Sequence, residues 1–164
     1  MVPEADPVEW TRQRWIAGNL PAPEHFTAMA ALMRAHQAMV TEMDRQLKAH
    51  GLSRTAYLLM ATLLISRDHT RPLGQLSRHL MVHPTTVTLV IDQLESRDLV
   101  IRRPHPTDRR TVLAALTDEG RNAVTKANQD LADAQFGLPG VGEALAQRTT
   151  SVLRQVRGKI GDFP

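Results

Sequence analysis

Residues 72–117 read PLGQLSRHLMVHPTTVTLVIDQLESRDLVIRRPHPTDRRTVLAALT, and the expected fold follows from the periods within this run. Leu76 and Leu80 are four residues apart, and Val87, Ile91 and Leu94 follow at steps of four and three, which indicates two amphipathic helices. Because proline opens a helix but is not tolerated inside one, the residues just before Pro84, 81–83, are predicted to form the turn between them. The run therefore predicts a helix-turn-helix.

The second half of the run predicts two strands joined by a basic loop. Apolar residues alternate there with the period of two expected of half-buried strands, at Leu99, Ile101, Val112, Ala114 and Leu116. Residues 104–111 interrupt the alternation with two prolines. Four arginines flank a single acid, Asp108, within nine positions: Arg102, Arg103, Arg109 and Arg110. Such a projection suits contact with a phosphate backbone or a minor groove.

The order of these elements predicts a DNA-binding surface. A helix-turn-helix places its second helix in the major groove, where hydroxyls and amides bond base edges and phosphates. We therefore predict that a set of polar residues on this helix and its hairpin contacts DNA, with Asp108 bracing an arginine: Thr85, Thr86, Thr88, Gln93, Arg103, Asp108, Arg109 and Arg110.

The same residues resemble a known family. The run from 76 to 120 is similar to the winged-helix core of the MarR (multiple antibiotic resistance regulator) family, and the likeness is sharp over residues 72–121 and extends in helix order over about 25–158. Its most specific features are Asp-x-Arg at Asp108 and Arg110, and Leu-Thr-x-x-Gly at 116–120. Two positions depart from the pattern, since many members have a basic residue where this chain has Leu89, and usually a glycine where it has Asp98.

The resemblance implies a mainly α winged helix-turn-helix protein whose N- and C-terminal helices form a dimerisation region. It also implies a dimeric transcription regulator of the repressor type that reads an inverted-repeat operator and is released by a small-molecule ligand. Family ligands bind between the dimer helices and the winged helix. Here this implies four ligand-binding residues and no cofactor: Met33, His36, Tyr57 and Met60.

Composition narrows the class of partner. A chain of 164 residues with 42% hydrophobic residues is one ordinary globular unit. Residues 67–110 hold eight arginines against five acids, so this segment alone supplies the net charge of +3 and favours an anionic partner at one face.

The absence of cysteine excludes disulfides and thiol sensing. No run is apolar and long enough for a membrane span or a secretion signal, so we expect a bacterial cytoplasmic protein that meets the nucleoid.

The flanking sequence predicts the domain organisation. Residues 1–23 form an extension with a short helix over 8–19, residues 24–53 and 137–164 supply dimerisation helices, and residues 54–136 form the winged helix with flanking helices. Ser53 is predicted to cap a buried helix over 54–65, residues 66–71 to form a polar turn, and Thr117 to cap a helix that runs to about 135. The apolar stripes of the terminal helices need a surface to cover them, and a second subunit supplies it.

Two other functions remain open from the sequence. His79 and His83, with His36, His69 or His105, form the basis of an alternative reading as a zinc-responsive regulator. The terminal helices alone suit a helical module that grips a partner protein. No Ser-His-Asp or paired-carboxylate arrangement is recognisable, so we predict that the protein is not an enzyme.

Overall fold

The computed structural model describes residues 6–108 and 110–163 and is mainly helical, as predicted. The helices of the described residues are α1 (Pro7–Ala17), α2 (Pro23–Lys48), α3 (Arg54–Leu64), α4 (Leu73–Leu80), α5 (Pro84–Glu95), α6 (Asp118–Asp133) and α7 (Glu143–Lys159). The strands are β1 (Thr70–Pro72), β2 (Val100–Pro104) and β3 (Val112–Leu116), and short 3₁₀ turns cover Arg67–His69 and Gln135–Gly137. The antiparallel sheet has the order β1-β3-β2. None of these helices is long and apolar enough to cross a membrane.

Polar side chains fix where several of the helices begin. The Ser53 hydroxyl accepts a hydrogen bond from the Ala56 N–H at 3.2 Å, and the Thr117 hydroxyl accepts one from the Gly120 N–H at 2.9 Å. Both caps were predicted, and both are confirmed. Helix α5 is capped instead by an imidazole, because His83 Nδ1 accepts from the Thr85 N–H at 3.2 Å. Each cap satisfies an N–H that has no partner inside its helix.

Helix α3 lies at the centre of the core. Its residues Leu59, Met60 and Leu63 are fully buried and belong to one cluster with apolar residues of α2, α4, α5 and α6. The Tyr57 hydroxyl donates to Asn128 Oδ1 on α6 at 2.7 Å, which supplies the partner that a buried phenol needs. The prediction of a buried helix holds for most of α3 but is wrong for one side, where Leu58 is 44% exposed.

The sheet differs from the predicted hairpin in two ways. The predicted polar turn at 66–71 instead contains a 3₁₀ turn and β1, which pairs with β3 through Thr70 opposite Ala115. Three residues that end in a proline carry too little period to be recognised, and Pro72 is tolerated because β1 is an edge strand. In β2, Val100 is the fully buried residue and Ile101 is only half-buried, because Leu99 still belongs to the preceding turn.

The terminal helices leave apolar surface uncovered in the single chain. Helix α1 folds onto α2 by stacking the rings of Trp15 and Phe26, whose centroids are 3.6 Å apart. Only Val40 and Leu47 of α2 are buried, whereas Met33 in its first half is 64% exposed. Helix α7 buries no residue, and its Val152 is 57% exposed. The first half of α2 and the whole of α7 therefore stand apart from the core.

Candidate nucleic-acid interface

Helix α5 presents a polar face to solvent because its apolar residues point into the core. Val87, Ile91 and Leu94 are buried, so the positions between them lie outside. Five exposed residues of α5 form the surface that we call the α5 face: Thr85, Thr88, Leu89, Asp92 and Gln93. The predicted contact residue Thr86 is half-buried beside this face. Leu89, where the family resemblance led us to expect a basic residue, is 57% exposed and adds an apolar point to the face.

Two hydroxyls of the α5 face are held at the start of the helix. Thr88 Oγ1 donates to the carbonyl oxygen of Pro84 at 3.2 Å, and Thr85 Oγ1 lies 3.0 Å from His83 Nδ1. A hydroxyl has two acceptor lone pairs in addition to its proton. Thr85 and Thr88 therefore keep acceptor capacity at fixed positions on the face.

Arg102 is bound to α5, although its charge alone groups it with the arginines of the wing. Its guanidinium pairs with Asp92 Oδ1 at 2.6 Å and with Glu95, and it also donates to the Thr88 carbonyl oxygen at 3.4 Å. Its backbone N–H donates to Glu95 Oε1 at 2.8 Å. Arg102 thus balances the acid of the α5 face and ties β2 to the helix. Arg103, the next residue along the strand, is exposed.

The wing tip is organised by Asp108 and His105. Asp108 Oδ2 accepts from the Thr111 hydroxyl at 2.6 Å and its Oδ1 accepts from the Arg110 N–H at 3.0 Å. These two bonds, the hydroxyl first, hold the pKa of the Asp108 carboxyl below its ordinary value. His105 Nδ1 accepts from the Asp108 N–H at 3.1 Å. In the described part of the loop, Asp108 therefore braces a backbone N–H and a hydroxyl group.

A basic cavity separates the wing tip from α4. It has a volume of about 550 Å³, and its walls include the N-terminal turn of α4 and the side chains of Arg78, His105 and Arg110. The first N–H groups of a helix carry partial positive charge, which adds to that of the guanidinium groups. The wing and α4 therefore present one basic surface. The predicted contact residue Arg109 lies outside the described residues.

Two residues of this region were missed by the sequence reading. Arg78 lies on the polar side of a helix that was inspected only for its apolar stripe. The pairing of Arg102 was missed because four neighbouring arginines were treated as one cluster. The period of two along a strand puts Arg102 and Arg103 on opposite sides, and this signal was available in the sequence.

The four predicted ligand-binding residues are not brought together. Tyr57 lines an open cavity of about 600 Å³ between α3 and α6, and His36 lines a second of similar size between α2 and α3. Leu58 lies in the walls of both. Met60 is fully buried in the core, and Met33 is exposed on α2. Burial of Met60 takes it out of the reach of a ligand unless the core opens.

The histidines occupy separate local positions. His83 Nδ1 caps α5, His105 Nδ1 accepts from the wing loop, and His69 Nδ1 lies 2.9 Å from the Leu64 carbonyl oxygen. Across residues 6–108 and 110–163, no group of three or more His, Asp or Glu side chains is arranged to hold a metal ion. The alternative zinc reading thus has no geometric support in this part of the chain.

Comparison with known proteins agrees with this geometry. The MarR family model matches residues 52–112. The crystal structure of Sco5413, a MarR family transcriptional regulator from Streptomyces coelicolor, is 34% identical with a TM-score of 0.77, and the match covers 85% of this chain and 97% of that one. This chain belongs to the MarR family. The resemblance seen in the sequence is therefore confirmed.

The MarR family model runs from just before α3 to the first residue of β3, so it includes the α5 face and the wing tip. MhqR, a helix-turn-helix transcriptional regulator of Bacillus subtilis, is 33% identical over 89 residues, which is 54% of this chain and 60% of that protein. The chain thus matches less than two thirds of the length of this curated relative. Sco3205, a MarR family regulator from S. coelicolor solved in complex with DNA, shares the fold with a TM-score of 0.74 at 20% identity, over 84% of this chain and 88% of that one.

Proposed function

We propose that this MarR-family protein is a transcription regulator that binds double-stranded DNA as a homodimer and acts as a repressor in the bacterial cytoplasm. The observation that carries the proposal is the placement of the α5 face beside the arginines of the wing. Arg102 fastens β2 to α5, so the helix and the hairpin approach one surface together. Helix α5 enters the major groove in this proposal, and the wing reaches the neighbouring phosphates or minor groove.

Each side chain has a role that its chemistry allows. Thr85, Thr88 and Gln93 offer acceptors and donors to base edges, and Leu89 offers an apolar contact to a thymine methyl group. Arg78, Arg103 and Arg110 offer charge to phosphates, and this part of the binding weakens as salt rises. These proposed DNA contacts require no catalytic chemistry.

The homodimer is supported by the uncovered apolar faces of the terminal helices. In one chain Leu145 and Val152 of α7 and Ile160 just after it are each more than half exposed, and the first half of α2 adds Met29 and Met33. A two-fold dimer would cover these faces with one another and would present two copies of α5. Two copies about one DNA turn apart, near 34 Å, read an inverted repeat.

A small-molecule effector is part of the same proposal. The cavity lined by Tyr57 and Asn128 combines polar atoms with the apolar side chains of Leu58, Ile65 and Phe136. It suits a small ligand with an apolar body and one hydrogen-bonding group. Because α3 lies between α2, α5 and α6, a ligand bound against α3 would change the position of α5 relative to α2.

The direct test is a titration of the purified protein against a fluorescent duplex taken from the region upstream of its own gene. A duplex of the same length and composition with shuffled sequence serves as control. We expect tighter binding to the upstream duplex, with two protomers per duplex, and a loss of affinity for both duplexes as salt is raised. Absence of any DNA affinity at low salt would contradict the proposal and would favour the helical interaction module.

A further inference from the structure

The end of α2 is held by an arginine that comes from the turn after α5. Arg97 Nη1 donates to the Gly51 carbonyl oxygen at 2.7 Å, and its Nη2 donates to the His50 carbonyl oxygen at 3.2 Å. Arg97 itself follows α5, and its backbone N–H donates to the Leu94 carbonyl oxygen at 3.2 Å. One side chain therefore joins the C-terminal ends of α5 and α2.

The two carbonyl oxygens that accept from Arg97 are also held in place by contacts that do not involve Arg97. Gly51 has a φ of +62°, and the Leu52 N–H donates to the Leu47 carbonyl oxygen at 3.2 Å, so α2 ends in a glycine-terminated turn. From the other side, His50 Nε2 lies 2.8 Å from Asp130 Oδ2 of α6. The segment from His50 to Gly51 thus offers two carbonyl oxygens to a planar, two-pronged donor, at a helix end that attracts positive charge.

The side chain of Arg97 suits these two contacts better than a lysine would. A guanidinium presents its donors in a rigid fork and can bond both carbonyl oxygens in one orientation, whereas an ammonium is a point charge that holds no such orientation. Among the residues the structure describes, Arg97 supplies the hydrogen bonds between the turn after α5 and the end of α2. It is thus placed to limit how far α5 tilts relative to α2.

We propose that Arg97 is a positioning residue that sets the spacing of the two DNA-reading helices by locking α5 to the dimerisation helix. This inference rests on the proposed function, because it assumes a dimer in which α2 belongs to the fixed part and α5 to the DNA-binding part. Arg97 does not contact DNA in this role. Its loss changes how strictly the dimer selects the distance between half-sites, while the contacts within each half-site persist.

The test uses the full-length protein, its preferred inverted-repeat duplex, the same duplex with one central base pair added, and a duplex with a single half-site. One added base pair moves the second half-site by about 3.4 Å and turns it by about a tenth of a helical turn. Wild type, Arg97→Lys and Arg97→Gln are titrated against all three. Arg67→Lys is the matched control, because the Arg67 side chain is 96% exposed and lies beside Asp68 rather than at the end of α2.

We expect Arg97→Lys to reduce the preference for the native spacing by roughly fivefold, the lower end of typical couplings between sites. Its affinity for the single half-site and its salt slope should match those of the wild type. Arg97→Gln should behave in the same way, and Arg67→Lys should change nothing. Full rescue by lysine would assign Arg97 to a phosphate contact and overturn the inference.

A merely structural role would look different. It would lower affinity for the three duplexes in equal proportion, together with the urea midpoint of unfolding, and this result would also overturn the inference. A wild-type protein without preference for an inverted repeat would instead contradict the proposed function itself. The two failures are therefore distinguishable in the same set of titrations.

Discussion

Arg102 offsets the negative charge of an acidic residue on the proposed DNA-binding face. Asp92 belongs to the α5 face and would repel phosphates if its charge stood alone. Arg102 bonds it at 2.6 Å and also pairs with Glu95, so two carboxylates share one guanidinium. All three side chains are partly exposed, and water screens the pairs. We therefore assign the cluster to orientation and charge balance rather than to folding stability.

This assignment predicts a charge rescue. Arg102→Gln should weaken binding to specific and shuffled duplexes alike, because two uncompensated carboxylates then face the phosphate backbone. Adding Asp92→Asn and Glu95→Gln to that variant should restore a large part of the affinity. Fluorescence anisotropy on the single, double and triple variants measures the coupling between them. No restoration in the triple variant would show that Arg102 acts by a direct DNA contact.

A second prediction concerns the titration of Asp108. The pKa of the Asp108 carboxyl in the folded protein lies below its ordinary value. The hydrogen bonds of the carboxylate therefore stabilise the wing tip in full at pH values above the ordinary pKa. This contribution is lost as the pH falls through the lowered pKa. The Thr111 hydroxyl is the larger cause, so Thr111→Val should raise the pKa of Asp108 towards its ordinary value. Carboxyl ¹³C chemical shifts followed against pH give the value, and an unchanged pKa in the variant would remove Thr111 from the wing-tip network.

The residue scale also shows what sequence reasoning can and cannot supply. The α5 face was predictable, because a period of 3.6 separates Val87, Ile91 and Leu94 from the positions outside. The partners of Arg102 were not identified. The period of two along β2 separates Arg102 from Arg103, but it does not show that the acids that pair with Arg102 lie on α5. Met60 was assigned to a ligand site although it is buried. Periodicity marks the apolar side of a helix, but it does not tell a core from a pocket wall.

At the scale of elements, the Leu-Thr-x-x-Gly motif joins the wing to α6. Thr117 donates from its hydroxyl to the Asp98 carbonyl oxygen at 2.6 Å, and its backbone N–H donates to the Leu99 carbonyl oxygen at 3.2 Å. A Cβ on Gly120 would lie 1.9 Å from that same Leu99 oxygen. Asp98, which stands where the family usually has glycine, lies in the left-handed region with a φ of +55°.

This close approach predicts a stability difference between two glycines. Gly120→Ala should lower the free energy of unfolding by about 1–3 kcal/mol, because α6 must move away from the turn before β2. Gly74→Ala in α4 is the matched control, since its added Cβ meets nothing within 4 Å and alanine favours a helix. Urea unfolding followed by circular dichroism measures both. Equal effects of the two substitutions would contradict a tight contact at Gly120.

Capping residues predicted where helices begin more reliably than hydrophobic periodicity did. Ser53 and Thr117 were predicted as caps because each precedes an apolar or acidic helical start, and both begin their helices. Strand β1 was missed because its existence depends on pairing with β3, which lies more than forty residues further along the chain. Such long-range pairing leaves no local pattern in a three-residue strand.

At the scale of the molecule, the terminal helices account for the proposed dimer. Deletion of residues 143–164 should yield a monomer, because it removes the exposed apolar stripe of α7. It should leave the core folded, since α7 buries no residue in its own chain. Sedimentation velocity and circular dichroism measure the two properties. Val152→Glu serves as a milder variant with the same expected shift towards monomer, and a truncated protein that still sediments as a dimer would contradict the assignment.

The most direct measurement of the central claim separates the work of the wing from that of α5. Wild type, the Arg103→Ala and Arg110→Ala double variant, and Gln93→Ala are titrated against the preferred operator and a shuffled duplex at several salt concentrations. The double variant should weaken binding to both duplexes and flatten the log–log salt dependence by roughly 0.9 for each lost phosphate contact. Gln93→Ala should cost about 1–3 kcal/mol on the operator and much less on the shuffled duplex. An unchanged salt slope in the double variant, or an equal loss on both duplexes for Gln93→Ala, would contradict the account.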